Sequence, residues 1–118
     1  MECFALLCGH LVGDYIFQND WMASRKTSES YACLVHCIVY TVSLLVFAGD
    51  FVGIWIPMVA GVIHFPIDRW RLARRFMAWN GQEAFASGSF APWSIIVVDN
   101  TIHLVTLFVL WKLRGVFG

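Results

Sequence analysis

The chain has 118 residues, of which 59% are hydrophobic and only 14% charged, with a formal net charge of zero and a mean hydropathy of +0.69. An ordinary soluble domain is about half apolar and about a quarter charged, so this balance argues against a fully solvated surface and toward lipid. Zero net charge removes the bulk attraction that nucleic-acid binding draws on, and the length suits a single membrane domain over residues 1–118.

Four apolar segments follow one another along the chain. The first, residues 3–18, reads "CFALLCGHLVGDYIFQ". It lacks a basic n-region and a small-residue cleavage site, so it reads as a span rather than a signal peptide. Ala5, Gly9 and Gly13 form a small-xxx-small stripe along it, suited to close helix contact. The linker "NDWMASRKTSES" is polar, and its Ser28 or Ser30 is placed to cap the next helix. The second and third segments, 31–47 and 51–69, flank "AGD", which predicts a tight turn and an antiparallel hairpin. Pro66 removes a backbone donor inside the third segment and predicts a kink or an exit there. The fourth segment covers 93–111.

A span needs roughly 20 apolar residues, and lipid leaves its backbone groups no partners but their own, so all four are expected to be transmembrane helices. The fold class is therefore an all-α integral membrane protein, an antiparallel bundle of four transmembrane helices. Between the third and fourth spans, residues 70–80 interleave basic and aromatic side chains, which predicts a short interfacial helix. Arg69, Arg71, Arg74 and Arg75 would meet lipid headgroups there. Residues 81–92 are the loosest stretch and read as a mobile loop. Trp21, Trp70, Trp79, Trp93 and Trp111 are candidate interfacial anchors. Arg25, Lys26 and the four arginines after the third span put both basic loops on the cytoplasmic face of the inner membrane, and the termini outside. Cys3, Cys8, Cys33 and Cys37 lie in apolar segments and read as small core residues.

Against this background the polar residues are conspicuous. His10 and Asp14 are one helical turn apart, with Gln18 one turn further. His64 and Asp68 repeat the spacing, and Asp99 and His103 repeat it reversed. His36 lies in the second span with Tyr40 one turn on, so all four histidines of the protein fall in apolar segments. An up-down bundle puts all of them in the half of the membrane nearest the basic loops. An aspartate at mid-span costs roughly 2.5–3.5 kcal/mol on insertion scales, so such groups persist when they pair, bind a cation or line a wet cavity. A lone pair of this kind reads as helix-packing glue; three pairs and a fourth histidine at one depth favour a site. Carboxylate and imidazole together suit Zn, Mn or Fe as a divalent metal. His10, Asp14, His64, Asp68, Asp99 and His103 are the candidate ligands, and His36, Asp14 and Asp99 the candidate catalytic groups. Gln18, Asn100 and Tyr40 would support them.

"GHLVGDYIFQNDWMASRK", "LVHCIVY", "VIHFPIDRWR" and "DNTIHL" resemble a family of small bacterial and phage membrane proteins catalogued as domain of unknown function 3307. The match falls on His10, Asp14, Gln18, Met22, Ala23, His36, His64, Asp68, Asp99 and His103. Asn100 stands where the family usually has Gln, and Lys26 is one position from its basic residue. The resemblance implies a four-span membrane protein and brings no activity with it. A weaker analogy links the His/Asp arrangement to inner-membrane metal-dependent hydrolases.

Three functions compete at this point. In the first, a bound metal lowers the pKa of water for attack on a lipid or phosphoester. In the second, the cluster belongs to a proton or metal-ion transport or channel subunit. That needs polar groups reaching the far face, where only Thr41, Ser43 and Thr106 continue, unless a homo-oligomer supplies the rest. In the third, the polar core is structural and the protein is a non-catalytic interaction partner. Membrane lipids are the expected partners in all three, and nucleic acid in none.

Overall fold

Continuous apolar runs leave backbone N–H and C=O groups without solvent, and the chain satisfies them within helices. The computed structural model describes residues 1–117, and among them the fold is all-α with no strand. Helix α1, Glu2–Leu11, runs directly into a π turn at Val12–Ile16, where the Phe17 amide bonds to the Val12 carbonyl. Helix α2, Asp20–Arg25, is capped by Asn19, whose side chain accepts from the Met22 amide at 2.9 Å. Helix α3, Ser30–Val52, is followed by α4, Trp55–Arg69, and α5, Leu72–Trp79. A 3-10 turn at Gly88–Phe90 leads to α6, Trp93–Lys112, and α7, Arg114–Phe117.

Several boundaries differ from the expectations. Neither Ser28 nor Ser30 caps α3: Glu29 holds the cap position without a side-chain bond, the Ser28 hydroxyl donates to the Arg25 carbonyl, and Ser30 accepts from Arg69. "AGD" lies inside α3, and the hairpin turns instead at Gly53, whose φ of 79° is the left-handed conformation glycine adopts freely. Helix α4 runs through Pro66 to Arg69 rather than ending there. Among the described residues only α3 and α6 are long and apolar enough to cross a membrane. The π turn limits α1 to 10 residues, and the Gly53 and Trp70 ends limit α4 to 15.

Helix α3 is the centre of the packing, with α1 on one side and α4 on the other, while α6 closes against α4, α5 and α1. Leu6, Leu44, Ile56, Leu107 and Leu110 are buried between them. Close approach of α1 to α3 depends on glycine. A Cβ at Gly9 would lie 3.0 Å from Leu44 Cα, and one at Gly13 would lie 3.1 Å from Tyr40 Cα. At one end of the bundle, Trp111 Nε1 donates to Glu2 at 2.6 Å, tying α6 to α1. The stretch before α6 folds back onto it: Phe85 packs on Phe90 and Trp93, and the Ser94 hydroxyl donates to the Phe85 carbonyl at 2.6 Å.

Candidate metal centre

Helix α3 places His36 inward, one turn before Tyr40, and α4 faces it with His64 and Asp68. Asp14 arrives from the π turn of the first segment. That turn carries one more residue than an α-turn, and such turns recur where a side chain must be re-aimed. Four donor atoms meet in the space between the helices: Asp14 Oδ1, His36 Nε2, His64 Nε2 and Asp68 Oδ2.

The distances are short all round. His36 Nε2 lies 3.0 Å from Asp14 Oδ1, 3.1 Å from Asp68 Oδ2 and 2.8 Å from His64 Nε2. His64 Nε2 lies 3.3 Å from Asp14 Oδ1 and 3.0 Å from Asp68 Oδ2. Donors about 2.0–2.1 Å from a tetrahedral ion sit roughly 3.3–3.4 Å from one another; one of the five edges has that length and the other four are shorter, so the ring would open by up to about half an ångström around an ion. All four residues are exposed by 5% or less. Two imidazole nitrogens 2.8 Å apart can share only one proton between them, and the Asp14 and Asp68 carboxylates flank both rings. A cation at the common centre relieves the crowding of the two nitrogens, so the donor set fits a divalent metal.

A second group adjoins the first. Asp14, Asp99 and His103 offer donor atoms within 4.8 Å of one another. His103 Nδ1 lies 2.8 Å from the Asp99 carbonyl oxygen, and His103 Nε2 lies 3.5 Å from Asp68 Oδ1. His10 stands apart. Its Nδ1 bonds to the Tyr40 hydroxyl at 3.0 Å and its Nε2 to Asn100 Oδ1, while Asp14 Oδ2 is 3.9 Å away. Both ring nitrogens are thus occupied, and the structure places His10 with Tyr40 and Asn100, outside the two groups of donors. Gln18 lies beyond the π turn with its Oε1 buried and no partner among the described residues.

Lys26 completes the site. Its Nζ lies 2.9 Å from Asp68 Oδ2, and its side chain is largely buried. Burial opposes the charge, but the Asp68, Asp14 and Asp99 carboxylates outweigh it and raise the Lys26 pKa above the ordinary 10.5. While the Asp68 carboxylate is ionised, the Lys26 charge therefore stabilises the fold below pH 10.5, and that contribution is lost as pH rises through the folded value. In the sequence Lys26 stands out as a basic loop residue and not as a partner of the aspartates. No local spacing marks it, because its partner lies across the fold on another helix. An ammonium on a ligand oxygen competes with a metal for the same negative charge. Lys26→Met is expected to tighten metal binding about tenfold or more, a difference of about 1.4 kcal/mol per decade, while destabilising the metal-free protein. Chelator competition and melting of the stripped protein measure the two effects.

The four arginines have separate fates. Arg69 donates to the Thr27 carbonyl at 2.8 Å and to Ser30, joining α4 to the loop before α3. Arg74 forms a two-pronged pair with Glu83, at 2.8 and 3.3 Å. Arg75 donates to the Trp70 carbonyl. Arg71, held at a left-handed φ of 53°, lines a cleft with Lys26, Asp68, Arg74 and Asp99. The cleft encloses about 200 Å³ and leads to the ligand carboxylates.

A family model described as a protein of unknown function (DUF3307) matches residues 3–117. The chain belongs to this family. No curated protein and no solved structure matches it. The match to the DUF3307 model takes in every donor of the two groups and Lys26 as well.

Proposed function

We propose that this protein is a four-span protein of the inner membrane that binds a divalent metal near the cytoplasmic interface and hydrolyses a lipid or other phosphoester there. The observation that carries the reading is the buried ring of Asp14, His36, His64 and Asp68, whose donor atoms have the spacing of a metal cage. In this reading α3 and α6 cross the full bilayer, and α1 with its π turn and α4 cross with polar ends in the interface. The basic loops lie in the cytoplasm.

The adjoining cleft gives the substrate class. Lys26, Arg71 and Arg74 line it and suit an anionic phosphate, and Asp68 and Asp99 line it beside them. A metal there would polarise a phosphoryl oxygen and lower the pKa of water. The chain's own groups would hold the headgroup against the centre. Water's oxygen would bond to phosphorus, the ester oxygen would leave, and that oxygen would take up the proton the water gives up. A transport path finds less support. Thr41, Ser43 and Thr106 each donate to a carbonyl four residues back in their own helix, so their protons are already committed.

The test is metal content and headgroup release together. Protein purified in mild detergent, without an affinity-tag metal, is expected to retain a divalent metal and to release phosphate or headgroup from phospholipid vesicles. His36→Ala/His64→Ala is expected to lose both. A wild-type protein that neither retains nor takes up metal overturns the reading, as does hydrolysis that survives the double substitution. Arg71→Gln is expected to weaken headgroup release several-fold with metal content unchanged, which separates substrate binding from metal binding.

A further inference from the structure

The four-donor ring has a chemical difficulty as a hydrolytic centre. Four protein ligands close a tetrahedral site, and closed sites are structural, whereas catalytic ones keep a position open for water or substrate. The neighbouring group of Asp14, Asp99 and His103 has three donors, one fewer than closes a tetrahedral site, and its Asp99 lines the cleft beside Asp68.

The protonation of His103 makes this group specific. A backbone carbonyl only accepts, so the ring nitrogen 2.8 Å from the Asp99 carbonyl oxygen must be the N–H donor. In the neutral ring Nε2 then carries a bare lone pair. That atom is buried and has no hydrogen-bond partner among the described residues, and His103 is only 3% exposed. Its near neighbour is a carboxylate oxygen, Asp68 Oδ1, at 3.5 Å. A buried lone pair beside an anion is unfavourable unless a cation accepts it, and Asp14 and Asp99 hold the carboxylates that would complete such a cation's shell. Asp14 is common to both groups, with its Oδ1 already committed to His36 and His64. Its other oxygen is free for the second group.

Resting on the metal-binding reading above, we infer that the centre holds two divalent metals. The first is closed by His36, His64, Asp14 and Asp68. The second is bound by His103, Asp99 and the shared Asp14, and keeps its open position toward the cleft. Paired ions about 3.5–4 Å apart serve phosphoryl transfer by holding both the attacking and the leaving oxygen. The closed ion fixes the shared Asp14 carboxylate, and the open one meets the phosphate that Lys26 and Arg71 attract.

The experiment is stoichiometric and needs no substrate. Metal-stripped full-length protein in detergent is titrated with Mn²⁺, and bound metal is counted beside the electron paramagnetic resonance spectrum. Two equivalents with an exchange-coupled signal are expected for the wild type. Asp99→Asn/His103→Gln is expected to bind one equivalent with the six-line spectrum of an isolated ion. One equivalent and a six-line spectrum in the wild type would overturn the second site while leaving the first intact, and would mean that His103 carries a proton instead. No bound metal would overturn both readings. Two equivalents retained by the double variant would also overturn the assignment. The wild-type spectrum decides the question even if that variant fails to fold.

Discussion

Asp14→Asn is expected to lower metal affinity by about 100-fold or more, the largest effect of any single isosteric change in this protein. Loss of an outer partner alone costs 10–100-fold in metal sites, and Asp14 is a donor itself. It is also the residue common to both groups, with its Oδ1 3.0 Å from His36 Nε2 and 3.3 Å from His64 Nε2. The amide keeps the shape and one acceptor oxygen, so the metal-free fold should change little. The signature is therefore in linkage. At a metal concentration 100 times the wild-type Kd, binding stabilises the wild type by about 2.7 kcal/mol. After a 100-fold loss the same concentration stabilises the variant by only about 0.4 kcal/mol. Melting in detergent, with and without Mn²⁺, measures this directly. An undiminished metal-dependent shift in the variant would remove Asp14 from the centre.

The second large effect is steric, and it reaches the same site through the backbone. Gly13→Val is expected to destabilise the bundle by about 1–3 kcal/mol, the usual cost of overpacking, and to weaken metal binding at the same time. A Cβ at Gly13 would meet Tyr40 Cα and Cδ2 at 3.1 Å and Ser43 Cβ at 3.2 Å. The Cα cannot yield without moving α3, so the first segment must move away from α3. Asp14 is the next residue, and its contact with His36 spans exactly the interface being opened. Gly49→Ala is the control. Its Cβ would meet only a Leu45 side-chain atom at 3.9 Å, so stability and metal affinity should both stay near wild type. Equal behaviour of the two substitutions would show that close packing at Gly13 does not set the site.

Both effects concern features that differ in how far the sequence reveals them. The helical class was legible because apolar runs must satisfy their own backbone, and the short helix α5 because arginine and aromatic residues alternate over a short stretch. The chemical types at the site were legible because histidine and aspartate are costly in apolar segments and stand out singly. Their partnerships were not. Spacing of one turn pairs His10 with Asp14, yet the π turn carries Asp14 to His36 and His64, and leaves His10 to Tyr40 and Asn100. A π turn depends on what packs against the helix, and the local sequence carries no mark of it.

By itself, then, the sequence determined the family and an all-helical fold, and marked the histidines and aspartates as candidate site residues, because these depend on composition and on intervals of a few residues. Only the tertiary structure brings Asp14, His36, His64 and Asp68 together, turns His10 to Tyr40 and Asn100, and sets Lys26 on Asp68. Those contacts join residues 22 to 90 positions apart, and the physical forces that select them are packing and charge between helices, which no local interval encodes.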